Sequence, residues 1–210
     1  LLGHIAQQSA KTQKPAPLLL AVSKTRPPDD IRAAWHAGCR DFGENYLQEA
    51  LPKQEALSDL PITWHFIGPL QSNKTRPVAT HFDWVHSVDR LKLAQRLSDQ
   101  RPDTLPAINV CIQVNIDDEA SKSGVTPAEL PALAHAIAAL PRLRLRGLMC
   151  IPHPWESEEE QRRPLAALRQ LVTALDRPGA GGDIRVVYLR NADAVQVAAT
   201  LNAALAGEGG

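Results

Sequence analysis

The run LLLAVSKTR at 18–26 stays apolar until it ends in Ser23 and Lys24. A lysine at the end of a buried strand either turns to solvent or has its amine held at the mouth of a pocket. Desolvation disfavours the ammonium form, and the neutral amine is the nucleophile that condenses with an aldehyde to a Schiff base. FGEN at 42–45 adds Glu44, a charge that can pair with a nearby lysine, and Asn45, a neutral hydrogen-bonding group that equally suits the cap of a following helix. In WHFIGPLQSNK at 64–74, His65 alternates with Trp64, Phe66 and Ile67, as a buried and hydrogen-bonded imidazole would. Ser72, Asn73 and Lys74 open a short polar helix whose free N–H groups suit an anion.

Other groups carry less chemistry. Lys122, in NIDDEASKSG at 115–124, is a second amine, but a polar loop offers it little desolvation, and Lys24 ranks above it for imine formation. His81 and His86 lie near Asp83 without a spacing that puts three ligands on one side of an element, and no HExxH occurs, so no metal centre is expected. The absence of GxSxG, GxGxxG and a Walker glycine loop weakens hydrolase, nicotinamide and nucleoside-triphosphate readings. Arg142, Arg144 and Arg146 alternate in PRLRLRG, but no aromatic residues are interleaved for base stacking. Salt bridges at the amino end of a strand are the expected role. Met149, near the other end, can pack against a flat ring or within the core.

Positioning such groups requires short apolar runs alternating with amphipathic stretches, and the chain supplies them. A helix over 1–13 is broken by Pro15 and Pro17. Strands are read at LLLAVS, RDFGEN, ITWHFIG, DWVHSV, AINVCIQVN, LRLRGLMCI and IRVVYL. Helices follow at PPDDIRAAWHAGC, with Gly38 as its stop, at YLQEALPKQEAL, interrupted or bent near Pro52, and at SNKTRPVA. Further helices are read at LKLAQRLSD, capped by Asp89, after the capping box TPAE at 126–129, over about 156–176, and at AVQVAATLNAALA.

Seven strand-then-helix units fit either a doubly wound sheet or a barrel. Polar residues fall at the carboxyl side of many successive strands: Ser23 and Lys24, Glu44 and Asn45, Gly68, Ser87, and Asn115. A doubly wound sheet would concentrate them at one switch point, so a ring of strands fits better. The expected fold class is therefore an α/β, TIM-type (β/α)8 barrel whose eighth strand is not visible after Ala206. The expected organisation is one barrel domain over 1–210, with an N-terminal helix and an atypical segment from about 189.

The 210 residues, 44% hydrophobic, suffice for one good core, and 23 basic against 23 acidic residues give no net charge to draw the chain to nucleic acid or an anionic membrane. With no apolar run near 20 residues and no secretory pattern, the chain reads as cytoplasmic. Cys39, Cys111 and Cys150, an odd set without CxxC spacing, read as buried thiols of a reducing compartment.

Taken in order, AVSKTRP, DFGENYLQEA, WHFIGPLQSNK, HSVDR, VNIDDEASKSG and LRGLMCIP resemble the pyridoxal-phosphate-binding homeostasis protein family, whose barrel is related to the N-terminal domain of alanine racemase. The resemblance implies that Lys24 carries pyridoxal 5'-phosphate as an internal aldimine and that Asn45 lies at the cofactor. It also implies that Ser87 and Met149 line the ring pocket while His65 supports its wall. It implies a regulator of cofactor and amino-acid balance rather than a catalyst, with pyridoxal phosphate and apo-enzymes needing it as partners, and neither nucleic acid nor membrane.

A racemase or decarboxylase using the same aldimine is the alternative; it needs a second acid or base, for which Tyr46 and Tyr188 are the tyrosines available. A cofactor-free interaction protein is a third reading. After Ile151 the resemblance weakens: YLRNADAVQ stands where the family has a serine- and methionine-rich phosphate-holding segment, and the family's final arginine and threonine motif is absent. Arg190 sits in the wrong motif to replace that arginine. A truncated or altered homologue, or a divergent protein with weakened cofactor binding, would each account for this. The first is physically easier, because an open barrel edge leaves strand groups unpaired.

Overall fold

The computed structural model describes residues 2–13, 16–117, 123–153 and 156–175. Within them six strands, β1 Leu20–Val22, β2 Asp41–Glu44, β3 Thr63–Phe66, β4 Trp84–Val88, β5 Ile108–Gln113 and β6 Leu143–Met149, form one parallel sheet. Their order is β1-β2-β3-β4-β5-β6, so every strand pairs with its neighbours in sequence. A doubly wound sheet would reverse its strand order at a switch point. The uninterrupted order among the described strands is that of a (β/α) barrel wall. IRVVYL, AVQVAATLNAALA, Lys122, Tyr188 and Arg190 lie outside the described residues.

The helices are α1 Leu2–Thr12, α2 Pro28–His36, α3 Leu47–Ala56, α4 Thr75–His81, α5 Leu91–Gln100, α6 Leu130–Ala138 and α7 Glu158–Leu175. None of the described helices is long and apolar enough to cross a membrane. Gly38 ends α2 with φ +102°, a conformation that a side chain resists. The capping box of TPAE is formed: the Thr126 N–H donates to Glu129 Oε2 at 3.0 Å, and the Glu129 N–H returns to Thr126 Oγ1 at 3.4 Å.

Two local expectations are corrected. Helix α3 is not interrupted at Pro52 but runs through it; the missing N–H leaves the carbonyl of Gln48, an exposed residue, without its helical donor. Asp89 does not cap α5, because the cap position falls one residue later, at Arg90, whose guanidinium instead donates to Asp89 at 2.7 Å.

Strand alternation separates two faces. One carries Phe42, Trp64, Phe66, Val85, Val110 and Ile112 into the layer between sheet and helices, where they meet Ile31, Val78, Leu93, Leu97, Leu130 and Ile137. Burying each large apolar side chain there contributes about 1.5–3 kcal/mol. The other face carries Asp41, His65 and His86, with Cys111 and Met149 buried but apart from that apolar cluster. A polar bore inside an apolar layer is the arrangement that sets up the site.

Arg101, only 3% exposed, shows how the outer layer is closed. Its guanidinium donates to the carbonyls of Ala79 and Phe82 at the end of α4 and to that of Pro106, at 2.7–2.9 Å, taking up acceptors the helix cannot satisfy itself. At the amino end of β6, Arg142 pairs with Asp103 and Arg146 donates to Asn109 Oδ1 at 2.7 Å. Two of the three alternating arginines, Arg142 and Arg146, thus serve the barrel wall.

Candidate functional site

Strand β1 ends at Val22, and its ladder continues one step, the Ser23 N–H donating to the Gly43 carbonyl at 2.9 Å. A tight turn over 23–26 follows, closed by the Arg26 N–H on the Ser23 carbonyl at 3.1 Å, with Thr25 in the left-handed region at φ +62°. Lys24 is half-buried within this turn, at the carboxyl end of the strand, and its amine has no hydrogen-bond or ion-pair partner among the described residues. Val22 pairs with Gly43, so Lys24 and Asn45, each two residues farther along, stand at one level of the barrel mouth.

Asn45 completes the GEN segment. Its Oδ1 is buried without a donor among the described residues, an orphaned acceptor beside the Lys24 level. The loop after β3 presses on it from the next strand: a Cβ on Gly68 would overlap the main-chain carbonyl of Asn45, so only glycine lets the two backbones approach. Ser87 holds that glycine in place, donating to the Gly68 carbonyl at 2.6 Å.

Glu44 points the other way, between sheet and α3, and is fully buried. Lys53, 7% exposed, donates to both carboxylate oxygens at 2.9 and 3.0 Å and to the Ser23 carbonyl at 2.9 Å, while Ser23 Oγ donates to Glu44 Oε1 at 2.5 Å. The lysine that Glu44 pairs with is therefore Lys53, which sequence reasoning passed over. A signal existed: Ala50, Lys53 and Leu57 are three and four residues apart, on the stripe of α3 that faces the sheet.

Deeper in the bore, Asp41 Oδ1, His65 and His86 form a chain. His65 Nε2 lies 3.0 Å from the carboxylate and His65 Nδ1 lies 2.9 Å from His86 Nε2. The carboxylate can only accept, so His65 donates to it through Nε2; in the neutral tautomer of His65, Nδ1 accepts from His86 Nε2, and His86 Nδ1 is buried with no partner among the described residues. Trp84 stacks on both rings, with centroids 5.4 and 5.7 Å away. Burial, and secondarily His65, hold the His86 pKa down to about 3, so this ring is a neutral acceptor near pH 7 rather than an acid.

The sequence-selected residues thus fall at different depths. Lys24 and Asn45 share the mouth; His65 pairs with Gly43, two residues deeper or roughly 7 Å at the usual strand rise. Met149 is fully buried at the mouth end of β6, level with Gln113. Ser87 reaches the mouth through its bond to Gly68. Ser72, Asn73 and Lys74 form a 3-10 turn rather than the first turn of an α-helix, and the Ser72 carbonyl accepts from Thr75 and Arg96. His81 is exposed while His86 is interior, and the described residues contain no cluster of three metal-ligating side chains.

A half-buried free amine level with an orphaned amide oxygen, at the open end of a polar bore, is suited to covalent capture of a small aldehyde. Comparison with known proteins gives the chain its family. The family described as alanine racemase, N-terminal domain, matches residues 2–205. Pyridoxal phosphate homeostasis protein of Pseudomonas aeruginosa is 65% identical over 158 residues, 75% of this chain and 69% of the relative. That of Escherichia coli is 58% identical over 159 residues, 74% and 67% of the two chains.

Among solved structures, PipY of Synechococcus elongatus with PLP bound superposes with a TM-score of 0.69 at 39% identity, over 80% of this chain and 79% of that one. Alanine racemase from Corynebacterium glutamicum, at 18% identity and a TM-score of 0.58 over 80% of this chain and 47% of that one, shares the fold. Sheet order, site motifs and an identity of 65% lead to one conclusion: the chain belongs to the pyridoxal phosphate homeostasis protein family, within the alanine racemase N-terminal domain class.

Proposed function

We propose that this protein holds pyridoxal 5'-phosphate through Lys24 and serves as a reversible carrier in pyridoxal phosphate and amino-acid homeostasis, not as a catalyst. The observation that carries the reading is the half-buried Lys24 amine, without a partner among the described residues, level with the unpaired Asn45 Oδ1. The residues fit the group: a free amine for its aldehyde, an amide for its polar ring substituents and the buried Met149 for its flat face. When bound, the cofactor would supply an electrophilic aldehyde carbon, and the Lys24 amine would be the group that holds it reversibly. His65, fixed by Asp41 and His86, supports the pocket from below, and Ser87 fixes the Gly68 turn against Asn45.

The test is direct. Purified protein is mixed with pyridoxal phosphate, followed by its visible absorbance, reduced with borohydride and mapped by mass spectrometry. A reduced adduct at Lys24, lost in Lys24→Ala, is the expected result; no adduct, or one confined to other lysines, would overturn the reading. Transfer from the loaded protein to an apo-enzyme that needs the cofactor, set against racemisation or decarboxylation of free amino acids, separates carrier from catalyst.

A further inference from the structure

Thr25 sits next to the candidate anchor in a backbone conformation that β-branched residues avoid, at φ +62°. Such strain persists only where the surroundings impose it, and here they do so from one helix. The Thr25 N–H donates to Glu49 Oε2 at 3.1 Å, and the Ser23 carbonyl accepts from Lys53 Nζ at 2.9 Å. Glu49 and Lys53 are one turn apart on α3, with Nζ and Oε2 3.9 Å from each other. Lys53 is itself anchored by the buried Glu44 carboxylate, so the grip on the turn is rigid at its root.

We propose that Glu49 and Lys53 are positioning residues: they clamp the turn over 23–26 from behind and so present the Lys24 amine at the barrel mouth. The inference rests on the reading that Lys24 takes the cofactor. It also explains why the neighbouring amine is no rival. An ammonium has three donors, and Lys53 directs them at Ser23 O and the two oxygens of Glu44.

Two variants separate the clamp from plain structural support. Glu49→Ala removes an acceptor from a side chain that is 41% exposed, so the fold is not at risk. Lys53→Met combined with Glu44→Gln replaces the buried ion pair by a neutral pair, and the new amide oxygen still accepts from Ser23. Amide hydrogen exchange at Thr25 and Arg26 in protein without added cofactor is measured beside the melting temperature and the dissociation constant for pyridoxal phosphate.

The clamp predicts exchange about fivefold faster and binding about fivefold weaker in each variant, the equivalent of one ordinary hydrogen bond, at a nearly unchanged melting temperature. Borohydride should still trap Lys24 and leave Lys53 unmodified. Exchange and affinity equal to the parent's in both variants would overturn the proposal. Altered exchange in the variants of a parent protein that forms no Lys24 adduct would overturn it from the other side, by removing the cofactor reading on which it rests.

Discussion

Gly68 lies so close to the main-chain carbonyl of Asn45 that even a methyl group on its Cα would overlap the oxygen. Two strands' worth of site geometry meet at this contact, because Ser87 also ends on the Gly68 carbonyl. Gly68→Ala is expected to cost about 1–3 kcal/mol through forced backbone displacement. Urea denaturation of the variant checks the loss, and it should come with weaker pyridoxal phosphate binding, since the Asn45 segment is what moves.

The buried histidine gives the fold an acid-sensitive element. His86 keeps its neutral form down to about pH 3, whereas the unfolded chain takes up the proton near the ordinary value of 6.5. Above 6.5 neither state is charged and no penalty exists. As pH falls from 6.5 towards 3, only the unfolded state binds the proton, so stability declines by about 1.4 kcal/mol per pH unit from this residue, and the decline stops below 3. Comparing urea midpoints of the parent and His86→Gln from pH 7 to pH 4 isolates the contribution; parallel profiles would contradict it.

The cysteines should be silent in the native state. Burial pushes the Cys111 thiol up to about 12 and raises that of Cys39 above its ordinary value. Iodoacetamide at pH 8, followed by peptide mapping, is expected to leave both unlabelled until denaturant is added.

Removing the Arg101 guanidinium by Arg101→Met leaves the carbonyls of Ala79, Phe82 and Pro106 without their charged donor. A loss of about 2–3 kcal/mol is expected from the unsatisfied acceptors. Arg101→Lys should not restore it, because a compact ammonium lacks the planar fork that spans the carbonyls. Thermal melts of the two variants, expected to be nearly equal, check this.

Most of the barrel wall was legible because its causes are local. Alternating runs such as ITWHFIG mark their strands by β-branched and aromatic content, and Gly38 and the TPAE box mark helix ends by backbone chemistry that operates within four residues. The turn geometry at Asp89 was misread because Asp89 and Arg90 compete for the cap position, and which wins depends on where the strand before them ends. Lys24 and Asn45 were legible as candidates from strand-end position and motif. The groups behind them were not: a lysine such as Lys53 reads as surface until its helix is placed against Glu44, and Asp41 becomes part of the histidine chain only through strand register. Contacts between residues distant in sequence leave little trace in the spacing of either one.

The strand order carries a final consequence, for how the molecule comes together. Val22 meets Gly43, 21 residues on, and Ile108 meets Leu143, 35 residues on; each described ladder closes only one intervening excursion of chain. Loop-closure entropy is then met in small instalments rather than in one long-range step. The sheet can grow from its first strand in the order in which a ribosome releases it, and the clamp on Lys24 is assembled once α3 has emerged.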